Sequence, residues 1–218
     1  MVTVVAAQAG PEGWLACASW PSLRDMDDAI DLRQRADWGQ DDGRPRYLVC
    51  THGKRDRCCA RLGVPAYTEL QRLAGERALQ TSHLGGHRFA PAILVLPHGY
   101  LYGRVPPERC GEIFAAHERG EVGPLEWLRG RVDLRCADQL AEIVVRRELG
   151  AMGLRDATHL DGVFDEAAGT WRSTWATATE RFVVGLKRER HRLAVLKSCD
   201  DPEPVAVERW TAMSWGRL

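Results

Sequence analysis

A chain of 218 residues, 44% of them hydrophobic, can bury a core in one elaborated domain or two small ones, which excludes a wholly disordered polypeptide. Its 30 basic and 30 acidic side chains cancel, so no overall field draws it to nucleic acid or an anionic membrane, and any partner must be recognised locally. Apolar runs such as Ala92-Ile93-Leu94-Val95-Leu96 fall far short of the roughly 20 residues that span a bilayer, and no basic segment precedes the apolar start. A soluble, cytoplasmic protein without nucleic-acid or membrane partners is expected.

Residues 2–7 read as a buried strand, residues 23–38 as a helix, and residues 46–50 as a strand that delivers Cys50 to its end. After Cys59, the spacing of Leu62, Tyr67, Leu70, Leu73 and Ala74 predicts a helix with one apolar face, with Pro65 near its beginning and Gly75 at its end. Residues 92–96 and 100–105 form a hairpin across Pro97-His98-Gly99. A helix from Pro106-Pro107 towards His117 follows, then another over residues 133–149 that Gly150 closes. This order is compatible with a thioredoxin-like α/β domain over residues 1–150. Residues 181–188, 193–197 and 205–210 read as strands of an antiparallel β-rich extension over residues 151–218, with Trp171, Trp175, Trp210 and Trp215 as its core.

Seven cysteines, an odd number without an export signal, point to a reducing compartment and to metal or redox chemistry. Cys17, Cys110, Cys136 and Cys199 stand apart from one another and read as small buried apolar residues. The informative stretches are Cys50-Thr51-His52-Gly53-Lys54-Arg55-Asp56-Arg57-Cys58-Cys59 and His83-Leu84-Gly85-Gly86-His87. Each brings donors close enough for a short loop to wrap one metal atom, and Gly85 and Gly86 let that loop turn tightly. Cysteines on one iron and histidines on the other match the donor set of a Rieske-type 2Fe-2S centre; the same set serves zinc. The eight residues between Cys50 and Cys59 exceed the two to four of structural zinc knuckles and suit a cluster. The vicinal Cys58-Cys59 pair lacks the Cys-x-x-Cys spacing of thiol oxidoreductases.

These segments resemble the sucrase/ferredoxin-like family. The likeness runs through Val49-Cys50-Thr51-His52-Gly53, Arg55-Asp56, Cys58-Cys59-Ala60, then Ser82 to Ala90, then Leu94-Val95-Leu96-Pro97-His98-Gly99 and Tyr102-Gly103-Arg104-Val105. The resemblance implies a thioredoxin-like ferredoxin domain holding a 2Fe-2S cluster. The family pattern puts the second cysteine nine positions after the first, on Cys59, and leaves Cys58 as an extra. Cys50 and Cys59 would hold one iron, and His83 and His87 the other. No motif singles out the pair of carboxylates that glycoside hydrolysis needs.

The expected function is electron transfer with redox partner proteins, a reductase or an electron acceptor, rather than catalysis on a substrate of its own. Neutral imidazoles in place of two thiolates raise the potential above plant-type ferredoxins, and a proton on the free ring nitrogen can couple reduction to pH. Lys54, Arg55, Arg57, Arg61 and Arg88 form a basic rim by sequence, and Asp56 is expected to pair with one of the arginines. A zinc-stabilised binding module on the same four residues and a thiol-based oxidoreductase are the alternatives.

Overall fold

In chain order, β1 (Val2–Gln8) and β2 (Trp14–Trp20) pair as an antiparallel hairpin, a partner strand that the sequence pattern did not reveal. The computed structural model describes residues 2–10, 13–20, 43–82, 84–190 and 193–218. The helix expected over residues 23–38 and the ligand expected at His83 lie outside these residues, as does the side chain of Cys17.

The central sheet begins with β3 (Arg46–Cys50), whose alternate residues Tyr47 and Val49 are fully buried. From its end the chain enters α1 (Arg57–Ala74), which buries Cys59, Gly63, Ala66, Leu70 and Ala74 at helical spacing against the sheet. The helix starts earlier than its apolar pattern predicts, so Pro65 is interior and Cys58 and Cys59 stand in the first turn. Gly75 closes it at φ +60°, and β4 (Ala78–Thr81) returns parallel to β3.

Then β5 (Ala92–Leu96) and β6 (Tyr100–Gly103) form the expected hairpin, antiparallel to β3. A 3-10 turn at Pro107–Arg109 leads into α2 (Cys110–Glu118), which packs on α1. The short β7 (Leu128–Arg131) completes a sheet of order β4-β3-β5-β6-β7. A parallel strand-helix-strand unit joined to an antiparallel hairpin and helix around one mixed sheet is a thioredoxin-like arrangement.

The next helix, α3 (Cys136–Leu149), ends at Gly150 with φ +64° as its sequence predicts. It packs on β7 and, through Ala137, Ala141 and Val145, on Trp171, Trp175, Val184 and Leu186 of a second sheet. That sheet is antiparallel, of order β11-β10-β9-β8, from β8 (Thr158–Asp165), β9 (Thr170–Ala176), β10 (Arg181–Arg190) and β11 (Glu208–Arg217). The C-terminal antiparallel sheet is therefore present, but its strands differ from those expected. Residues 193–197 make no strand; Val195 forms a lone bridge to Val205 while Leu193 is 69% exposed. Trp171 and Trp175 are core, Trp210 is half-buried, and Trp215 lies 41% exposed against Phe182 instead of inside. No helix among the described residues is long and apolar enough to cross a membrane.

Candidate metal centre

Cys50 ends β3, and the loop from Thr51 to Asp56 turns the chain directly into α1, so the strand end and the helix start face the same small volume. The thiols of Cys50 and Cys59 are both buried and in contact, sharing a packed cluster with Ala90 and Ala92 and with half-buried Cys58 and Leu84. Burial, followed by the hydrogen bond and charge of Cys50, pushes the Cys59 thiol far above its ordinary range. These two residues are together, as the sequence predicts.

The closeness of helix and strand depends on Gly63. A Cβ there would stand 2.1 Å from the carbonyl oxygen of Cys50, so only glycine lets α1 lie on the backbone that carries the ligand. Replacing Gly63 by alanine is expected to cost about 1–3 kcal/mol through overpacking and to displace Cys50. Urea unfolding and metal analysis of the same samples check this; wild-type stability with full metal content would show that the strand end yields without consequence.

The second donor loop turns as its glycines suggest. Gly85 and Gly86 adopt φ +86° and +61°, conformations that bring His87 back into the site at the head of a 3-10 turn, His87–Phe89. His87 is 9% exposed. Its Nε2 lies 3.0 Å from the Leu196 carbonyl oxygen, which can only accept, so Nε2 carries the proton and Nδ1 presents a lone pair inward. The donors nearest that lone pair are not Cys59 but Cys58 and Cys199, each with Sγ 3.6 Å from Nδ1.

Cys199 joins the site from the far end of the chain. Expected to be an isolated apolar residue, it instead reaches the site from the turn between β10 and β11, with its Sγ 2.9 Å from Cys58 Sγ. The polar segment Lys197-Ser198-Cys199-Asp200-Asp201 was the available signal, because a core cysteine has apolar neighbours. Asp56, 1% exposed, holds this turn: its Oδ1 accepts 2.7 Å from the Cys199 N–H and 2.9 Å from the Ser198 hydroxyl. Burial alone would raise the Asp56 pKa, but these hydrogen bonds outweigh it and hold the carboxyl below its ordinary value. The carboxylate therefore gives no side-chain cap to α1. Arg57 pairs with Asp200 at 3.2 Å and fastens the same turn from outside. The Cys58 thiol is pushed up to about 11, first by burial and next by Cys199.

Lys54, Arg55, Arg57, Arg61 and Arg88 are all exposed, as a rim requires. The guanidinium groups of Arg88, Arg104 and Arg129 also surround the Phe89 ring, at 4.6, 5.6 and 3.8 Å from its centroid. Arg104 adopts φ +62°, a strained value for a side-chain-bearing residue.

The donor set fits a two-iron cluster in kind. Two buried thiols are in contact, an imidazole from the second loop presents a free nitrogen, and the ligand loop holds a buried polar atom, His52 Nδ1, without a hydrogen-bond partner among the described residues.

Taken together, the fold and its buried thiol and imidazole donors define a thioredoxin-like domain with a candidate metal centre at the end of a central strand. The chain belongs to the sucrase/ferredoxin-like family, whose profile matches residues 20–139, more than half of it. It is 31% identical over 103 residues to altered inheritance of mitochondria protein 32 of Debaryomyces hansenii, a match covering 38% of this chain. The chain thus spans 38% of the length of the curated relative it matches. Among solved structures it is similar to the thioredoxin-like [2Fe-2S] ferredoxin of Aquifex aeolicus, with a TM-score of 0.35 and 19% identity over 41% of this chain and 93% of that one. A cysteine-to-serine variant of that ferredoxin gives the same TM-score and identity over 40% of this chain and 99% of that one.

Proposed function

We propose that the chain is a cytoplasmic electron carrier that holds a 2Fe-2S cluster through Cys50 and Cys59 on one iron and His83 and His87 on the other. The observation that carries this reading is the contact between the buried Cys50 and Cys59 thiols beside the loop that bears His87, in a chain of the sucrase/ferredoxin-like family. Once bound, the cluster would take up and release one electron at a time. Cys50 sits on a strand end pinned by Gly63, and Cys59 on the first turn of α1, so regular elements hold both candidate ligands. His87 keeps its remaining proton on Nε2, against the Leu196 carbonyl, and holds it where reduction can alter its affinity. Outside, Arg88, Arg104 and Arg129 offer a positive face to an acidic redox partner.

Anaerobically purified protein tests the reading, with iron, sulfide and zinc assayed beside optical and EPR spectra. The expected outcome is a brown protein with a dithionite-induced signal of mixed cysteine and histidine ligation. Cys50→Ser and Cys59→Ser should abolish it, and His83→Ala and His87→Ala should alter it. Its potential should fall with pH, by up to about 59 mV per unit for one proton per electron. A colourless protein with stoichiometric zinc after cluster reconstitution would replace the carrier with a zinc-stabilised module, and a potential flat between about pH 6 and 9 would remove the proton coupling.

A further inference from the structure

We propose that Cys58, His87 and Cys199, with Asp56, form a second, mononuclear site for a soft divalent cation of the zinc class. The four ligand atoms lie within 4.8 Å of one another. Each sulfur is 3.6 Å from His87 Nδ1, and Nδ1 is 3.7 Å from Asp56 Oδ1. A tetrahedral cation at usual zinc–sulfur, zinc–nitrogen and zinc–oxygen lengths sets donor–donor separations of about 3.3–3.8 Å, which three of these distances already match. The sulfur pair, now at 2.9 Å, must open by about 0.8 Å, and the Asp56 carboxylate, within 4.8 Å of both sulfurs, must draw in to the ion, both by side-chain rotation.

The surroundings are those of a cation site. The Leu196 carbonyl fixes the His87 tautomer that leaves Nδ1 bare, as supporting groups around metal-bound histidines do. A buried carboxylate faces two sulfurs and an imidazole. Two sulfur donors select zinc-like ions over magnesium or calcium. The site is distinct from the cluster ligands: it omits Cys50 and Cys59 and shares only His87, so the two occupancies exclude each other. Bound metal would fasten the Cys199 turn to the start of α1.

The test uses the full chain from iron-limited cells, kept reduced with a phosphine so that Cys58 and Cys199 remain thiols, and titrated with cobalt(II) as the probe. One equivalent should bind with the visible bands of tetrahedral cobalt and a sulfur-to-cobalt charge-transfer band, and zinc should displace it. Cys58→Ser, Cys199→Ser and the smaller Cys199→Ala should each weaken binding at least tenfold, with circular dichroism showing that they remain folded. Cys50→Ser and Cys59→Ser should retain the cobalt bands. Unchanged binding in both Cys199 variants, losses confined to Cys50→Ser and Cys59→Ser, or no cobalt bands in the wild-type chain would each overturn the proposal. Because the readout needs no cluster, failure of the electron-carrier reading leaves it standing.

Discussion

Replacing Arg146 by methionine is expected to lower the melting temperature by roughly 10 °C, from a loss of about 3–5 kcal/mol. Arg146 and Glu142 lie one turn apart on α3, both fully buried, with Nη2 3.0 Å from Glu142 Oε1. The Tyr100 hydroxyl joins them, donating to Glu142 at 2.8 Å and accepting from Arg146 Nη2 at 2.8 Å. Arg146 Nη1 also donates to the carbonyls of Ala151 and Gly153 beyond the helix end, at 2.7 and 3.0 Å. The single substitution therefore leaves a carboxylate buried without its cation and takes the side-chain donor from the Ala151 carbonyl, while Gly153 keeps the Asp156 N–H at 3.1 Å; the loss costs far more than the pair is worth against well-packed apolar groups. Glu142→Gln combined with Arg146→Met should recover part of the loss. Thermal unfolding of both variants checks this, and a single variant within 2 °C of wild type would show that the carboxylate finds water or protonates at little cost.

The second large effect is a loss of stability in mild acid. His117 is 2% exposed, and burial, with the neighbouring His98 second, drives its pKa down to about 3. The Gly123 N–H donates to the Tyr102 oxygen at 2.8 Å, so the Tyr102 proton can go to His117 Nε2 at 2.9 Å, leaving Nδ1–H for His98 Nδ1 at 3.2 Å. That arrangement needs a neutral ring. The unfolded chain takes up a proton as pH falls below about 6.5 while the folded chain does not. Stability from this group is thus complete above about pH 6.5 and declines by about 1.4 kcal/mol per unit as pH drops towards the folded value. His117→Gln, which cannot take up a proton, should flatten the slope between pH 6 and pH 4 in urea unfolding; an unchanged slope would assign the acid sensitivity to other groups.

Helical spacing was enough to find α1 and α3, and Pro97-His98-Gly99 enough to find the β5-β6 hairpin, because each buries a regular apolar face. The edge strands β4 and β7 escaped notice: four residues each, with Gln80 in one and Arg129 and Arg131 in the other, they carry no pattern of their own and are held by their neighbours. Residues 193–197 differ in the opposite sense, since the short apolar run Leu193-Ala194-Val195-Leu196 looks like a strand whether or not a partner lies alongside. At the centre, Cys50, Cys59 and the His87 loop were legible because their spacing is local. Cys199 and Asp56 were not, because what joins them is a contact across 143 positions.

The Cys199 turn also has a place in time. It closes over Cys58 from 141 positions further along the chain. At about 5–20 residues per second, it leaves the ribosome roughly 7–28 seconds after Cys58. In that interval β3, α1 and the His87 loop have already been made while the side that Cys199 will cover still faces the cell. A cofactor delivered to the nascent chain meets an open-sided cradle; one delivered later must first part a finished wall.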